Sequence, residues 1–142
     1  MKLSTFSIII LLLFSHSIFA QQPTSSWKVQ LHKTIIDDTV LQKNVSISLA
    51  HLKAKQILLL QYLPIDDKPN WRRDIMIMNE QRQQLLKTSL CNQQFCISIS
   101  SLKQLTKDSS FSIYTVQLPI NAEEAKRIRI APKKIATFIW KE

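Results

Sequence analysis

The chain has 142 residues, with 19 Lys and Arg against 10 Asp and Glu, and its formal net charge is +9. It contains no glycine at all. Phosphate-cradling loops, dinucleotide fingerprints, nucleophile elbows and standard calcium loops need glycine for tight turns or close backbone approach, so their usual forms are excluded.

The first 20 residues have the pattern of a signal peptide. A lysine precedes an apolar core at 8–14, and the stretch that ends at Ala20 becomes smaller and more polar. A membrane anchor is the alternative, but the apolar stretch is shorter than the about 20 residues that a spanning helix needs. We expect residues 1–20 to be a cleaved signal peptide, with Ser17 as a rival cleavage point. Residues 21–142 would then form a single β-rich domain, periplasmic or secreted, without a transmembrane segment.

Much of this domain alternates between apolar and polar residues, which predicts strands with one buried face. Trp27, Val29 and Leu31 form the first such set. The run from 57 to 63 is mostly apolar and fits either a strand covered on both faces or a short buried helix. In chain order, strands are predicted at 27–31, 44–49, 57–63, 71–78, 95–99, 111–118, 127–130 and 135–140.

Two segments favour helices. Asn79 is a suitable N-cap and apolar residues follow it at helical spacing, so a short helix is predicted at 80–89. Asn121 can cap one helical turn, with two glutamates at its positive end.

About eight short strands with frequent turns predict a mainly β fold, a single-domain β-sandwich that is immunoglobulin-like or similar, with one or two short helices. A small barrel is the alternative. Without glycine, left-handed turn positions should fall to Asn and Asp.

Cys91 and Cys96 are the only cysteines, and four residues separate them. The spacing is not that of a redox or zinc motif and no second pair exists, so metal binding and thiol catalysis are the weaker interpretations. In an oxidising compartment we expect a structural disulfide that closes one small loop. The two Cα atoms would have to approach to about 4.4–6.8 Å, which requires a turn at residues 92–94.

The C-terminal part of the chain is strongly basic. Arg127 and Arg129 are predicted to share one strand face, with Lys133 and Lys134 in the adjoining turn after Pro132. Together they would form a basic stripe that attracts an acidic partner protein, an anionic glycan or a lipid surface. The alternative is that these charges only keep an edge strand from pairing with other chains.

The sequence predicts no cofactor, no metal site and no catalytic residue. His32 and His51 lie on separate segments, which is typical of surface histidines rather than of a zinc or copper site. Met76 and Met78 stand at the period of a strand, which favours core filling over soft-metal binding with His51. The adjacent acid pairs lie in turn-rich segments, where carboxylates do not face each other across a substrate.

Three functional hypotheses remain. The first is a non-enzymatic exported binding or assembly module of the cell envelope, which contacts another envelope protein through an edge strand or basic face. Export argues against a nucleic acid partner. The second is an inhibitor or immunity protein that blocks a secreted hydrolase with a loop such as 66–70. The third is a binder or hydrolase of an anionic envelope polymer, which requires converging Asp or His side chains.

Overall fold

The computed structural model describes residues 25–41, 46–64 and 68–141, and the predicted signal peptide lies outside them. The mainly β prediction is confirmed. The strands are β1 (Ser25–Leu31), β2 (Thr34–Asp37), β3 (Ser46–Ser48), β4 (Ile57–Pro64), β5 (Trp71–Asn79), β6 (Gln84–Ser89), β7 (Gln94–Ser98), β8 (Phe111–Pro119) and β9 (Lys133–Ile139). The helices are α1 (Asp38–Leu41), α2 (Ile99–Thr106) and α3 (Ala122–Arg127). None of these described helices has the length and apolar character to cross a bilayer.

The described strands form two sheets. The first has four strands in the order β2-β1-β4-β7, and every neighbouring pair is antiparallel. The second has five strands in the order β3-β9-β8-β5-β6, antiparallel except for the parallel pair of β3 and β9. Because β1 pairs with β4, and β5 with β8, partners distant in sequence hold each sheet together.

Both sheets contribute to one hydrophobic core. Trp27, Val29 and Leu31 of β1 are at most 5 % exposed, as the alternation predicted. From the second sheet, the Phe111 ring of β8 stacks on the Phe138 ring of β9, with centroids 5.1 Å apart. Buried apolar surface stabilises a fold by about 25 cal/mol per Å², so a core shared in this way holds the two sheets to each other.

The apolar run of β4 is a strand with only one buried face. Leu58, Leu60 and Tyr62 are at most 3 % exposed and point into the core. Ile57 and Leu63, which alternate with them, are 49 % and 45 % exposed. The prediction that this strand is covered on both faces is therefore wrong. Among the described residues, nothing packs over the outer face of the first sheet at Ile57 and Leu63.

The predicted helix at 80–89 is wrong, because residues 80–83 form a turn that leads into β6. The Asn79 side chain accepts a hydrogen bond from the Gln83 backbone N–H at 2.8 Å and donates one to the Gln83 side-chain oxygen at 2.9 Å. Asn79 thus closes a turn instead of capping a helix. β6 then pairs with β5, and Leu85 and Leu86 pack partly against the core. A short isolated helix is marginal in water, so tertiary pairing decides the outcome.

The strand predicted at 95–99 is confirmed as β7 to within one residue at each end, but helix α2, which was not predicted, follows it directly. The Ser98 side chain accepts a hydrogen bond from the Ser101 backbone N–H at 3.1 Å and caps the helix. Ile99 and Leu102, three residues apart, then lie on one helical face and are fully buried. The sequence predicted no helix here, and α2 packs against the core.

Several turns adopt left-handed backbone without glycine. Asparagine and aspartate take some of these positions, as predicted, but longer side chains take others. The residues with positive φ are His32, Asn70, Arg82, Asn92, Gln93, Lys107 and Asp108. This conformation costs a residue with a Cβ atom about 1–2 kcal/mol, so the packing of the strands and helices that each turn connects must compensate.

The predicted Cys91–Cys96 disulfide is not formed, and both thiols are free and exposed. Cys91 pairs with Gln94 across a tight turn in which Asn92 and Gln93 have left-handed backbone. Cys96 therefore lies two residues beyond the partner of Cys91 along β7. Such diagonal neighbours are about 7–8 Å apart, whereas a disulfide requires Cα atoms within about 4.4–6.8 Å.

Candidate functional site

Residues 126–134, which we call the basic arm, form one exposed stretch that carries five cations and no acidic residue. The basic arm begins in the last turn of α3. It continues through Ile128, whose backbone is extended with φ −103° and ψ 129°, and ends in the first two residues of β9. Every residue of the basic arm is exposed.

The helix that precedes the basic arm starts as the sequence predicted. The Asn121 side chain accepts hydrogen bonds from the backbone N–H groups of Glu123 and Glu124, at 2.9 and 3.3 Å. The glutamates lie at the positive end of the helix, and Lys126 in its last turn pairs with Glu123 at 2.8 Å. This exposed pair contributes at most about 1 kcal/mol.

The strand predicted at 127–130 is wrong, since Arg127 is the last residue of α3 and Arg129 follows in an irregular segment. Pro132 cannot donate a backbone hydrogen bond to a neighbouring strand, and β9 begins only after it. Lys133 and Lys134 are therefore the first residues of a strand and do not form the predicted turn.

Strand alternation sends the two lysines of β9 in different directions. Lys134 lies opposite Tyr114 on the outer face of the second sheet, in a row that continues through Met76 to Lys87. Lys133 pairs in register with Thr115, whose side chain is buried. The four cations predicted to form a basic stripe therefore lie on one continuous segment, but their side chains do not share one face.

Most cations of the basic arm have no counter-ion among the described residues. Arg127, Arg129 and Lys134 form no ion pair with any described carboxylate. Ile128 and Ile130 stand between them in the chain and are 37 % and 38 % exposed. The basic arm thus presents unpaired positive charge and aliphatic surface side by side.

Asp38, the first residue of α1, is electrostatically coupled to the basic arm. Burial raises the pKa of its carboxyl group above the ordinary value. A hydrogen bond from the Trp27 backbone N–H and the positive charge of Lys133 each lower this pKa. The negative charge of the neighbouring Asp37 raises it further. The ionised carboxylate is therefore less favourable in the folded chain than in the unfolded chain.

We expect Asp38→Asn to stabilise the protein at pH 7. Folding raises this pKa, so the ionised carboxylate destabilises the folded chain fully above the folded pKa. Below the unfolded pKa of about 3.8 the group is protonated in both states and the destabilisation is absent. The difference in unfolding free energy between variant and wild type should therefore shrink as the pH falls through this window. Urea unfolding at several pH values measures it.

The matched control for this prediction is Asp108→Asn. Asp108 is exposed in a turn and has left-handed backbone, which asparagine also tolerates. Its substitution should change stability little at any pH. An Asp38→Asn protein that is less stable than wild type at pH 7 would contradict the prediction.

A second charged cluster surrounds Asp74, which is 1 % exposed within β5. Its carboxylate accepts a hydrogen bond from the Ser89 hydroxyl at 2.7 Å and lies 3.3 Å from Arg72 Nε and 3.5 Å from Lys87 Nζ. The sequence offered one signal for this cluster, an acid that follows two arginines and directly precedes the apolar residues 75–78. The buried carboxylate thus has three partners within the cluster, which hold it in the second sheet.

The histidines and methionines that could have held a metal are not brought together. His32 lies in the turn after β1 and His51 in the turn after β3, while Met76 is buried in the second sheet. Within residues 25–41, 46–64 and 68–141, no group of three or more His, Cys, Asp or Glu side chains could hold a metal ion. The loop 66–70, considered for an inhibitor, lies partly outside the described residues.

Comparisons of the chain with protein-family models, with curated proteins and with solved structures give no significant match. The function of the protein is therefore inferred from the geometry of the basic arm and of the two sheets.

Proposed function

We propose that this protein is a non-enzymatic binding module, exported to the periplasm or secreted, that contacts an acidic partner protein of the cell envelope through the basic arm. The observation that carries the proposal is the coincidence of unpaired cations with exposed aliphatic side chains at Arg127, Ile128, Arg129 and Ile130. Arginine is enriched in protein–protein interfaces, and apolar contacts form their centre while charges steer the encounter.

The backbone of the basic arm favours a protein over a lipid bilayer. Residues 129–131 make no backbone–backbone hydrogen bond to any described residue. Unpaired N–H and C=O groups are too unfavourable in hydrocarbon for this segment to enter a membrane. An extended segment of a partner protein can bond to them, as in the addition of a strand.

We further infer that the two sheets pack face to face as an immunoglobulin-like sandwich. The order β1-β4-β7 in one sheet and β9-β8-β5-β6 in the other corresponds to the A-B-E and G-F-C-C′ order of immunoglobulin domains. A core shared by both sheets supports this arrangement. The strand that usually flanks E is missing among the described residues, and β2 occupies the opposite edge beside β1.

Charge reversal in the basic arm tests the proposed function. Binding of an acidic peptide with alternating glutamate and valine would be measured by fluorescence anisotropy for the wild type and for Arg127→Glu/Arg129→Glu. We expect the affinity to fall about ten-fold or more, because arginines are frequent hot spots of interfaces. The matched control is Lys53→Glu/Lys55→Glu, which changes the net charge equally at two other exposed cations and should retain the affinity.

Two further probes test whether the basic arm binds a lipid surface or an anionic glycan instead of a protein. Vesicles of anionic phospholipid represent a lipid surface, and polygalacturonate represents an anionic glycan. Equal losses of peptide binding in both double variants would show that net charge alone drives association. Binding to vesicles or glycan without binding to the peptide would also contradict a partner protein.

A further inference from the structure

A cavity of about 240 Å³ is lined by residues from both sheets and by none of the basic arm. The first sheet contributes Tyr62 of β4, which belongs to the core, and Gln93 comes from the turn before β7. The second sheet contributes Trp71 and Arg73 of β5 and Gln117 of β8. Arg73 precedes Ile75 on the inward face of β5, so a guanidinium group lies where the next core residue would otherwise be.

The guanidinium group of Arg73 has fewer acceptors than it can use. Its Nη2 donates a hydrogen bond to the Tyr62 hydroxyl at 2.8 Å, and its Cζ lies 4.1 Å from the centroid of the Tyr62 ring. Its Nε is buried and has no hydrogen-bond partner. A guanidinium carries five N–H donors, and a buried donor without a partner costs about 1–3 kcal/mol.

The charge of Arg73 is also uncompensated within the described residues. No described carboxylate lies within 4 Å of it, and the neighbouring Asp74 is occupied by Arg72 and Lys87. The described residues that line the cavity include no acid. Arg72 also lines the cavity, although it pairs with Asp74. Lys68, outside the lining, lies 4.6 Å from the centroid of the Trp71 ring. The cavity is therefore positive, with flat aromatic walls and two amide side chains.

We propose that this cavity binds a carboxylate group, with Arg73 as the anchor. A carboxylate is planar and can accept two parallel N–H donors from one guanidinium, which supplies the acceptors that Arg73 lacks. The cavity is smaller than the about 300–1,000 Å³ of pockets for whole ligands, so it admits the end of a ligand or of a peptide. The site does not depend on the basic arm or on the function proposed for it.

Nuclear magnetic resonance of the ¹⁵N-labelled protein tests the site directly. N-acetylalanine presents the carboxylate of a chain end, and the α-amide of N-acetylglutamate presents that of an acidic side chain. We expect saturable shifts of the Arg73 Nε–H and Trp71 indole N–H signals with one or both probes, and the stronger probe identifies the source of the carboxylate. The uncharged amide of N-acetylalanine should cause none. Inorganic phosphate should bind more weakly than the carboxylates.

Substitutions of Arg73 and of a control arginine test whether Arg73 holds the carboxylate. Arg73→Gln should weaken carboxylate binding about ten-fold or more, because it removes a charge-assisted pair of hydrogen bonds. Arg82→Gln, which makes the same change at an exposed arginine outside the cavity, should leave binding unchanged. If Arg73→Gln fails to fold, Arg73→Lys keeps the charge but removes the planar fork and should also weaken binding. Retained affinity in a folded Arg73 variant, equal binding of the uncharged amide, or phosphate binding without carboxylate binding would overturn the proposal.

Discussion

Ile77→Ala is expected to lower the free energy of unfolding by about 2–5 kcal/mol, the usual range for removing a buried aliphatic side chain. Ile77 is fully buried in β5, a central strand of the second sheet, and lies between Leu86 of β6 and Ile113 of β8. The neighbours are held by their own strands and cannot close the cavity that alanine leaves. Because native domains are stable by only about 5–15 kcal/mol, urea unfolding should show the loss clearly.

Ile35→Ala is the matched control, since it makes the same chemical change in an edge strand. Ile35 of β2 is 63 % exposed, so its substitution should change the unfolding free energy by no more than about 0.5 kcal/mol. Similar losses for the two variants would mean that the inward face of the second sheet has been assigned incorrectly.

Removing both cations beside Asp74 is expected to destabilise the protein by about 3–5 kcal/mol, because it leaves a buried charge without a counter-ion. The double variant Arg72→Met/Lys87→Met keeps most of the aliphatic length of both side chains. Only the Ser89 hydroxyl would then remain as a partner of the carboxylate among the described residues. Urea unfolding at pH 7 measures the change.

Asp74→Asn should have the smaller effect, about 1 kcal/mol or less, although it removes the central group of the cluster. The side chains of Arg72 and Lys87 are 48 % and 40 % exposed, so both can turn toward water once the carboxylate is gone. The asparagine oxygen still accepts the Ser89 hydroxyl. A greater loss for Asp74→Asn than for the double variant would contradict this account of the cluster.

The strands that the sequence predicted well are β1, β5 and β8, which agree with the predicted segments to within a few residues. In β1 the buried residues repeat at period two, whereas residues 74–77 of β5 are all buried, so both faces of that strand are covered in its middle. The segment at 80–89, predicted as a helix, forms a turn and β6, whereas residues 99–106, of which only Ile99 was placed in a strand, form α2. Both segments are short and only partly apolar, so their local preference for helix or strand is weak. Pairing with β5 makes the first a strand, and packing on the core makes the second a helix.

For the basic arm, the sequence revealed the residues but not their arrangement. Five cations without an acid are visible in the sequence, whereas the end of α3 at Arg127 and the start of β9 at Lys133 follow from the Asn121 cap and from Pro132. The Arg73 cavity could not be predicted, because its walls come from residues as far apart as Tyr62 and Gln117.

The sequence by itself determined a mainly β chain, its inward-facing residues and the excess of positive charge, because periodicity and composition are local properties. Only the tertiary structure decided which strands are neighbours, that Cys91 and Cys96 lie diagonally across a turn, and that Arg73 faces Tyr62. These relations depend on register between strands that are distant in the chain, and no local pattern of residues encodes that register.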